Sequence, residues 1–115
     1  MEVNCLTLTG RVLEISEPRY SPAGIPHWRL LLEHRSKQQE VGRLRQVSCQ
    51  MAVQFSGDAF SAVCHQITPG IRLEIQGFLA RGSHRSLPSQ LVFHAQAVSF
   101  LEIENFQDPS IPSMK

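Results

Sequence analysis

Nine residues of this 115-residue chain are best suited to chemistry. They are basic side chains and one tyrosine, and they fall in predicted loops and strands. The set is Arg19, Tyr20, Arg35, Lys37, Arg43, Arg45, Arg81, His84 and Arg85, with Arg29 as an alternative to Arg35. Cationic side chains neutralise phosphates, and aromatic rings stack on bases, so this combination predicts a surface for single-stranded nucleic acid. The competing interpretation is an ordinary charged surface, because Arg and Lys are mostly exposed in any protein.

Catalytic and metal-binding patterns are weak. The five histidines, at positions 27, 34, 65, 84 and 94, show neither H-E-x-x-H nor a Cys/His metal spacing. The sequence also lacks G-x-S-x-G and a glycine-rich phosphate loop. We therefore expect a protein that is not an enzyme and that needs no metal and no cofactor.

Length and charge narrow the class of protein. The chain is long enough for one domain, and its formal net charge of +1 conceals an acidic end. Without residues 101–115 the chain has ten Lys and Arg against seven Asp and Glu, an excess of basic residues smaller than that of nonspecific duplex-binding proteins.

No apolar run reaches 18 residues and residues 1–4 do not resemble a signal peptide, so we expect a cytoplasmic protein without membrane contact. We expect all three cysteines to be buried thiols in a reducing compartment.

The segment 20–36 must position the central cations. Pro22, Gly24 and Pro26 exclude a helix, so a strand is predicted to begin after Pro26. Over residues 27–35 the inward positions are 28, 30, 32 and 34, and the outward positions are 29, 31, 33 and 35. An earlier strand over 3–14 has Gly10 as a bend that lets it pair on both sides.

The rest of the chain predicts three more strands and one helix. Residues 36–43 form a predicted hairpin connection, followed by a strand over 44–53 with positions 47, 49, 51 and 53 facing the core. A short helix over 58–65 is predicted to have Asp58 as its N-cap. Strands over 71–79, with Phe78 outward, and over 91–100 flank a loop at 80–89.

These elements predict an all-β fold, a five-stranded OB-fold barrel with a short helix between strands 3 and 4. Periodicity alone also allows an SH3-like barrel, and the helix position favours the OB-fold. The domain is predicted to span residues 1–101, and residues 102–115 are predicted to be a flexible tail.

Several motifs resemble the PriB family of bacterial primosomal proteins, small relatives of single-stranded DNA-binding protein. The most specific are S-P-A-G-I-P-H at 21–27 and L-E-H-R-S at 32–36. Supporting matches are L-T-G at 8–10, C-Q-M at 49–51, Q-G-F at 76–78 and L-V-F-H-A at 91–95. The resemblance covers nearly the whole chain before about residue 101.

The resemblance implies an OB-fold homodimer that binds single-stranded DNA and joins the PriA helicase and DnaT when replication restarts. By the position of the matching motifs, the resemblance implies four cations that contact DNA: Arg19, Arg35, Arg81 and Arg85. Some family members have stacking aromatics where this chain has Arg43 and Ser48. Three functions stay open: a charge-driven DNA-binding factor, a protein-only adaptor of the primosome, and an RNA-binding OB domain on the same face.

Overall fold

The computed structural model describes residues 1–82 and 90–101. Within them the chain forms six strands, one 3₁₀ turn and one α-helix. The strands are β1 (Leu6–Ile15), β2 (Arg19–Tyr20), β3 (Pro26–Glu40), β4 (Arg43–Ser56), β5 (Arg72–Arg81) and β6 (Leu91–Phe100). The 3₁₀ turn (Asp58–Phe60) and helix α1 (Ser61–Gln66) connect β4 to β5. The predicted site residues His84 and Arg85, and the predicted tail 102–115, lie outside the described residues.

Five of the strands close into a barrel. The sheet order is β1-β5-β6-β4-β3-β2, and a further pairing of β1 with β3 closes the ring. All pairs are antiparallel except β4 with β6, which run parallel. This is the OB-fold architecture, which confirms the all-β prediction and the five-stranded barrel. The two-residue strand β2, added at the edge of β3, was not predicted.

Gly10 allows β1 to pair with two neighbouring strands, as the sequence predicts. Residues 6–11 pair with β5, and residues 11–15 pair with β3. A Cβ atom at Gly10 would lie 2.5 Å from the Glu33 carbonyl oxygen, so a side chain there would collide with the backbone of β3. The strand can therefore cross between its partners only because this residue is glycine.

The barrel interior holds the alternating apolar residues of every long strand. The fully buried side chains are Phe55, Phe93, Leu30, Leu32, Leu73, Ile75, Val12 and Val53. Trp28 is 4% exposed, which confirms the inward face predicted for β3 at that position. Cys64 and Ile67 close one end, and the ring of Phe60 packs edge-on against Phe55 at 5.1 Å between centroids. The core thus fixes which residues of β3 and β4 face outward.

Several predicted boundaries were wrong, including the start of the first strand, which lies at Leu6 rather than at residue 3. Strand β3 begins at Pro26, because the first position of a strand tolerates a missing N–H. Gly57, rather than Asp58, occupies the N-cap position, and Asp58 lies inside the 3₁₀ turn. The α-helical part begins only at Ser61 and spans six residues.

No helix in the described part of the chain is long and apolar enough to cross a membrane.

The predicted hairpin connection at 36–43 is mostly strand. Strand β3 continues to Glu40, β4 starts at Arg43, and only Val41 and Gly42 form the turn, both with positive φ. We call residues 36–47 the arm. The arm pairs in continuous register from Ser36 opposite Val47 to Glu40 opposite Arg43. It extends roughly 15 Å past the barrel, since a strand rises about 3.3 Å per residue.

The arm also explains why two predictions of burial were wrong. Cys49 pairs with His34 near the base of the arm, where the barrel interior ends, and it is exposed. Val47 is only half-buried for the same reason. Cys5 precedes β1 and is exposed as well, so Cys64 is the buried thiol of the three.

Candidate nucleic-acid interface

The outer face of β3 and β4 is a ladder of cross-strand pairs. From the barrel toward the arm, the pairs are Arg29 with Gln54, Leu31 with Ala52, Glu33 with Gln50, Arg35 with Ser48, and Lys37 with Gln46. Strand β2 extends this face, because Arg19 pairs with His27 and His27 pairs with Ser56. Directly paired residues point to the same side of a sheet, so these side chains share one surface. We call this surface the outer face.

The outer face carries more cations than acids. Its cations are Arg19, Arg29, Arg35, Lys37 and, from β1, Arg11. Its acids are Glu33 and Glu14, which pairs with Leu31. This imbalance makes the face electropositive and suits a polyanion.

Glu33 joins two of these cations. Arg11 Nη2 donates to Glu33 Oε1 at 3.0 Å, and Arg35 Nη2 donates to Glu33 Oε2 at 3.3 Å. The hydrogen bond from Arg11, followed by that from Arg35, holds the pKa of Glu33 below its ordinary value, although partial burial opposes this. Glu33 is therefore charged at neutral pH and keeps both guanidinium groups near the centre of the face.

Arg35 and Lys37 border an open depression at the base of the arm. Its volume is about 640 Å³, and its lining is Arg35, Ser36, Lys37, Gln46, Val47 and Ser48. The structure therefore brings together two cations that the sequence singled out. The lining contains no aromatic ring, so contacts there are electrostatic and hydrogen-bonding.

Arg43 and Arg45 do not join this surface. Arg43 pairs with Glu40 and Arg45 pairs with Gln38, so both lie on the face of the arm opposite to Arg35 and Lys37. Arg45 also forms a hydrogen-bonded ion pair with Glu40. Placing them on the same outer surface was wrong, because the arm is strand rather than loop and its alternation continues through them.

The remaining predicted residues are dispersed. Tyr20 is 67% exposed at the sheet edge, opposite Pro26. Arg81 is the exposed last residue of β5 and pairs with Leu91 at one end of the barrel. His84 and Arg85 lie in the segment outside the described residues. Of the predicted site, then, Arg19, Arg35 and Lys37 share the outer face.

A row of outward side chains that runs from the outer face across β6 to β5 was not predicted as a group, although Arg29 and the outward position of Phe78 were. Arg29 pairs with Gln54, Gln54 pairs with His94 across the parallel contact, and His94 pairs with Phe78. The Phe78 and His94 rings are stacked, with centroids 5.1 Å apart and planes 10° apart. Burial, followed by the nearby Arg29 charge, lowers the pKa of His94 and keeps it neutral at pH 7. The alternation of β5 indicates that Phe78 faces outward, but no local pattern links it to residue 54.

Side chains that could ligate a metal are dispersed in the described part of the chain. Among residues 1–82 and 90–101, no group of three or more His, Cys, Asp or Glu side chains is arranged to hold a metal ion. His34 bridges two strands instead, with Nδ1 2.7 Å from the Thr9 carbonyl oxygen and Nε2 2.8 Å from Ser36 Oγ. The absence of enzyme activity stays a prediction.

Comparison with known proteins agrees with this architecture. Residues 4–97 match the model of a family described as "Another single-strand binding protein family". The chain is 41% identical over 102 residues to replication restart protein PriB of Photorhabdus laumondii, covering 89% of this chain and 97% of that protein. It is 40% identical over 102 residues to PriB of Yersinia pseudotuberculosis, with the same coverage.

A solved structure agrees as well. PriB from Ralstonia solanacearum superposes with a TM-score of 0.77 and 31% identity, covering 88% of this chain and all of that one. The family match extends over most of the described barrel, including the cationic outer face. The chain therefore belongs to the PriB family of single-strand binding proteins.

Proposed function

We propose that this protein is a single-stranded-DNA-binding accessory factor of bacterial replication restart. One observation carries the proposal: Arg19, Arg29, Arg35 and Lys37 lie on one continuous face of a barrel in a single-strand binding family. Cations along a groove track a phosphate backbone without reading sequence. The relatives named as replication restart proteins connect this binding to the restarted fork.

The mechanism is electrostatic. Each phosphate that meets a guanidinium or ammonium group releases condensed counterions, which drives binding. The depression between Arg35 and Lys37 receives the backbone, and the arm lengthens the cationic surface beyond the barrel. The lining contains Ser48 and no aromatic ring, so charge contributes more than stacking there.

We infer the partners from the resemblance to the PriB family. The protein would hold exposed strand at the fork while a second surface recruits and stimulates the PriA helicase, together with DnaT, in the cytoplasm. It would act as a homodimer and not as an enzyme. Support for the dimer comes from β1, whose residues 6–10 pair with β5 on one side and with no other described strand. Such an edge can pair with a second copy.

The test is fluorescence anisotropy of a labelled oligothymidylate with wild type and two matched double variants. Arg35→Ala/Lys37→Ala removes two outer-face cations, and Arg43→Ala/Arg45→Ala removes two from the opposite face of the arm. We expect the first pair to weaken binding about tenfold or more and the second to change it little. Equal losses would contradict the outer-face site.

The alternative is a protein-only adaptor of the primosome. The absence of an aromatic from the depression beside Ser48 favours it. In that case wild type would not bind the oligonucleotide at low salt, yet would still retain purified helicase on a column. Replacing DNA with RNA of equal length tests the third function, because only RNA offers the 2′-hydroxyl group.

A further inference from the structure

We propose that Arg29, Gln54, His94 and Phe78 form a second nucleobase subsite, at which a base extends the Phe78–His94 stack and its phosphate meets Arg29. This inference rests on the proposed binding of single-stranded DNA. It adds an aromatic contact to a surface that otherwise binds by charge. We call these four residues the stacking row.

The stacking row crosses the barrel rather than following one strand. Its members come from β3, β4, β6 and β5 in turn, each directly paired with the next. Neighbouring strands lie about 4.8 Å apart, so the row spans roughly 15 Å. It therefore offers several contacts in succession to a nucleotide strand that crosses the sheet.

The aromatic end of the row is preformed. The two rings are nearly parallel at 10°, with 5.1 Å between centroids, and both side chains are half-buried. Rings in such an offset stack present flat surfaces on which a further planar group packs well. Because His94 is neutral, the pair does not depend on charge to receive a base. Every base has a π-face, so the contact would tolerate any sequence.

The polar end of the row is anchored. The Ser16 N–H donates to the Arg29 carbonyl oxygen at 2.8 Å, and the Arg29 N–H donates to Ser16 Oγ at 2.9 Å. The Gln54 amide donates to Ser56 Oγ at 3.1 Å and accepts a long 3.5 Å bond from Arg29. Arg29 has no carboxylate within 4.0 Å among the described residues. Its exposed guanidinium is thus available to a phosphate.

A shallow depression borders the Arg29 end of the stacking row, on the side facing the end of β1. It has a volume of about 350 Å³ and is lined by Glu14, Ile15, Ser16, Arg29, Leu30, Leu31 and Ala52. Arg29 lies on its rim, and Leu31 and Ala52 form the rung between the Arg29 and Glu33 pairs. A nucleotide strand that leaves Arg35 could therefore cross the Leu31–Ala52 pair on the outer face and reach the stacking row at Arg29 and Gln54.

Photocrosslinking of the wild-type protein tests the subsite directly. Oligothymidylate of about 15 nucleotides, near the upper end of OB-fold site sizes, would carry 5-iodouracil at single positions. After irradiation, mass spectrometry would identify the crosslinked residues. We expect crosslinks to Phe78 or His94, together with others near Arg35.

A matched pair of variants measures the contribution of the stack. Phe78→Leu keeps an apolar side chain but removes the ring, and we expect it to weaken binding about tenfold, as for one stacked base. Phe100→Leu makes the same change at an exposed phenylalanine outside the row and should leave the affinity unchanged. Circular dichroism would confirm that both variants fold.

The outcomes separate this inference from the proposed function. Binding by wild type with crosslinks confined to residues near Arg35, or an unchanged affinity in folded Phe78→Leu, would overturn the stacking row alone. If wild type binds no oligonucleotide, the proposed function fails and the subsite fails with it. The crosslinking uses wild type, so an unstable variant does not prevent a decision.

Discussion

Arg35 Nη2 donates a hydrogen bond to Glu33 Oε2 at 3.3 Å, so a cation proposed to meet phosphate is already held by an acid on the same strand. Glu33 also holds Arg11 at 3.0 Å. A phosphate must compete with this carboxylate for both guanidinium groups and is repelled by its charge. Glu33 should therefore weaken the binding of DNA phosphates by the outer face.

Replacing Glu33 with Gln is expected to strengthen binding of single-stranded DNA about two- to fivefold at low salt. The substitution keeps the shape of the side chain, removes its charge and releases Arg11 and Arg35. The lowered pKa keeps Glu33 ionised in the wild type at pH 7, so the comparison is between charged and neutral forms. Anisotropy titrations would measure the change.

Glu40→Gln is the matched control for Glu33→Gln. It neutralises an acid that pairs with Arg45 on the opposite face of the arm. We expect no gain in affinity from it. An equal gain in both variants would show that only net charge matters and that the outer face has no special role.

The close approach of β5 and β6 at Gly77 predicts a strong effect on stability. A Cβ atom there would overlap the His94 carbonyl oxygen, beside a register shift between the two strands. We expect Gly77→Ala to lower the free energy of unfolding by about 3 kcal/mol in urea titrations. Gly82→Ala, whose Cβ would contact Val92 Cγ2 at an ordinary 3.4 Å, should be nearly neutral. Similar destabilisation of both variants would contradict the steric argument.

The turn of the arm contains a strained valine. Val41 has φ of 53° and is 93% exposed, and β-branched residues rarely adopt such a backbone. Val41→Asn creates the Asn-Gly sequence that two-residue hairpin turns favour, and should stabilise the arm by about 1 kcal/mol. Amide hydrogen exchange within residues 36–47 should slow about fivefold, because the arm can open locally. Val41→Thr retains the branching and should show no such slowing.

The three cysteines should differ in reactivity. Burial raises the pKa of the Cys64 thiol to about 11, whereas Cys5 and Cys49 are exposed. The thiolate is the reactive form, so iodoacetamide at pH 8 should label Cys5 and Cys49 and spare Cys64 until urea unfolds the protein. Mass spectrometry of the labelled protein would show the order. Labelling of Cys64 as fast as Cys49 in folded protein would place it outside the core.

The raised pKa of Cys64 also has a consequence for stability. The thiol ionises more readily in the unfolded chain, at its ordinary pKa of 9.0, than in the folded protein. The stability contributed by the neutral buried thiol is therefore complete below pH 9 and is lost as pH rises toward 11.

The sequence predicts the barrel better than the arm. Strands that cross the core alternate visibly, as Trp28, Leu30 and Leu32 do, because one face must be buried. Residues 36–40 have no core beneath them, so their polar composition resembles that of a loop. The arm is held by its own cross-strand bonds, and the pair between Glu40 and Arg45 is visible only in the folded register.

The same difference between barrel and arm explains which parts of the candidate site could be predicted from the sequence. Arg35 lies in the predicted strand on its outward side, so its face follows from the sequence pattern. Lys37 was predicted to lie in a hairpin connection, and it shares that face because β3 continues to Glu40. Arg43 and Arg45 were counted with the same surface, but the turn at Val41 and Gly42 places them on the opposite face of the arm. The stacking row depends on the parallel contact between Gln54 and His94, which are 40 positions apart in the chain.

The most direct test of the electrostatic account is the salt dependence of oligothymidylate binding by wild type. We predict that log Kobs falls linearly with log salt concentration, with a slope of about −0.7 for each phosphate neutralised. Arg35→Ala/Lys37→Ala should make the slope shallower by about 0.7 for each phosphate that is no longer neutralised. Arg43→Ala/Arg45→Ala, on the opposite face of the arm, should leave the slope unchanged. A flat response in wild type would contradict the account.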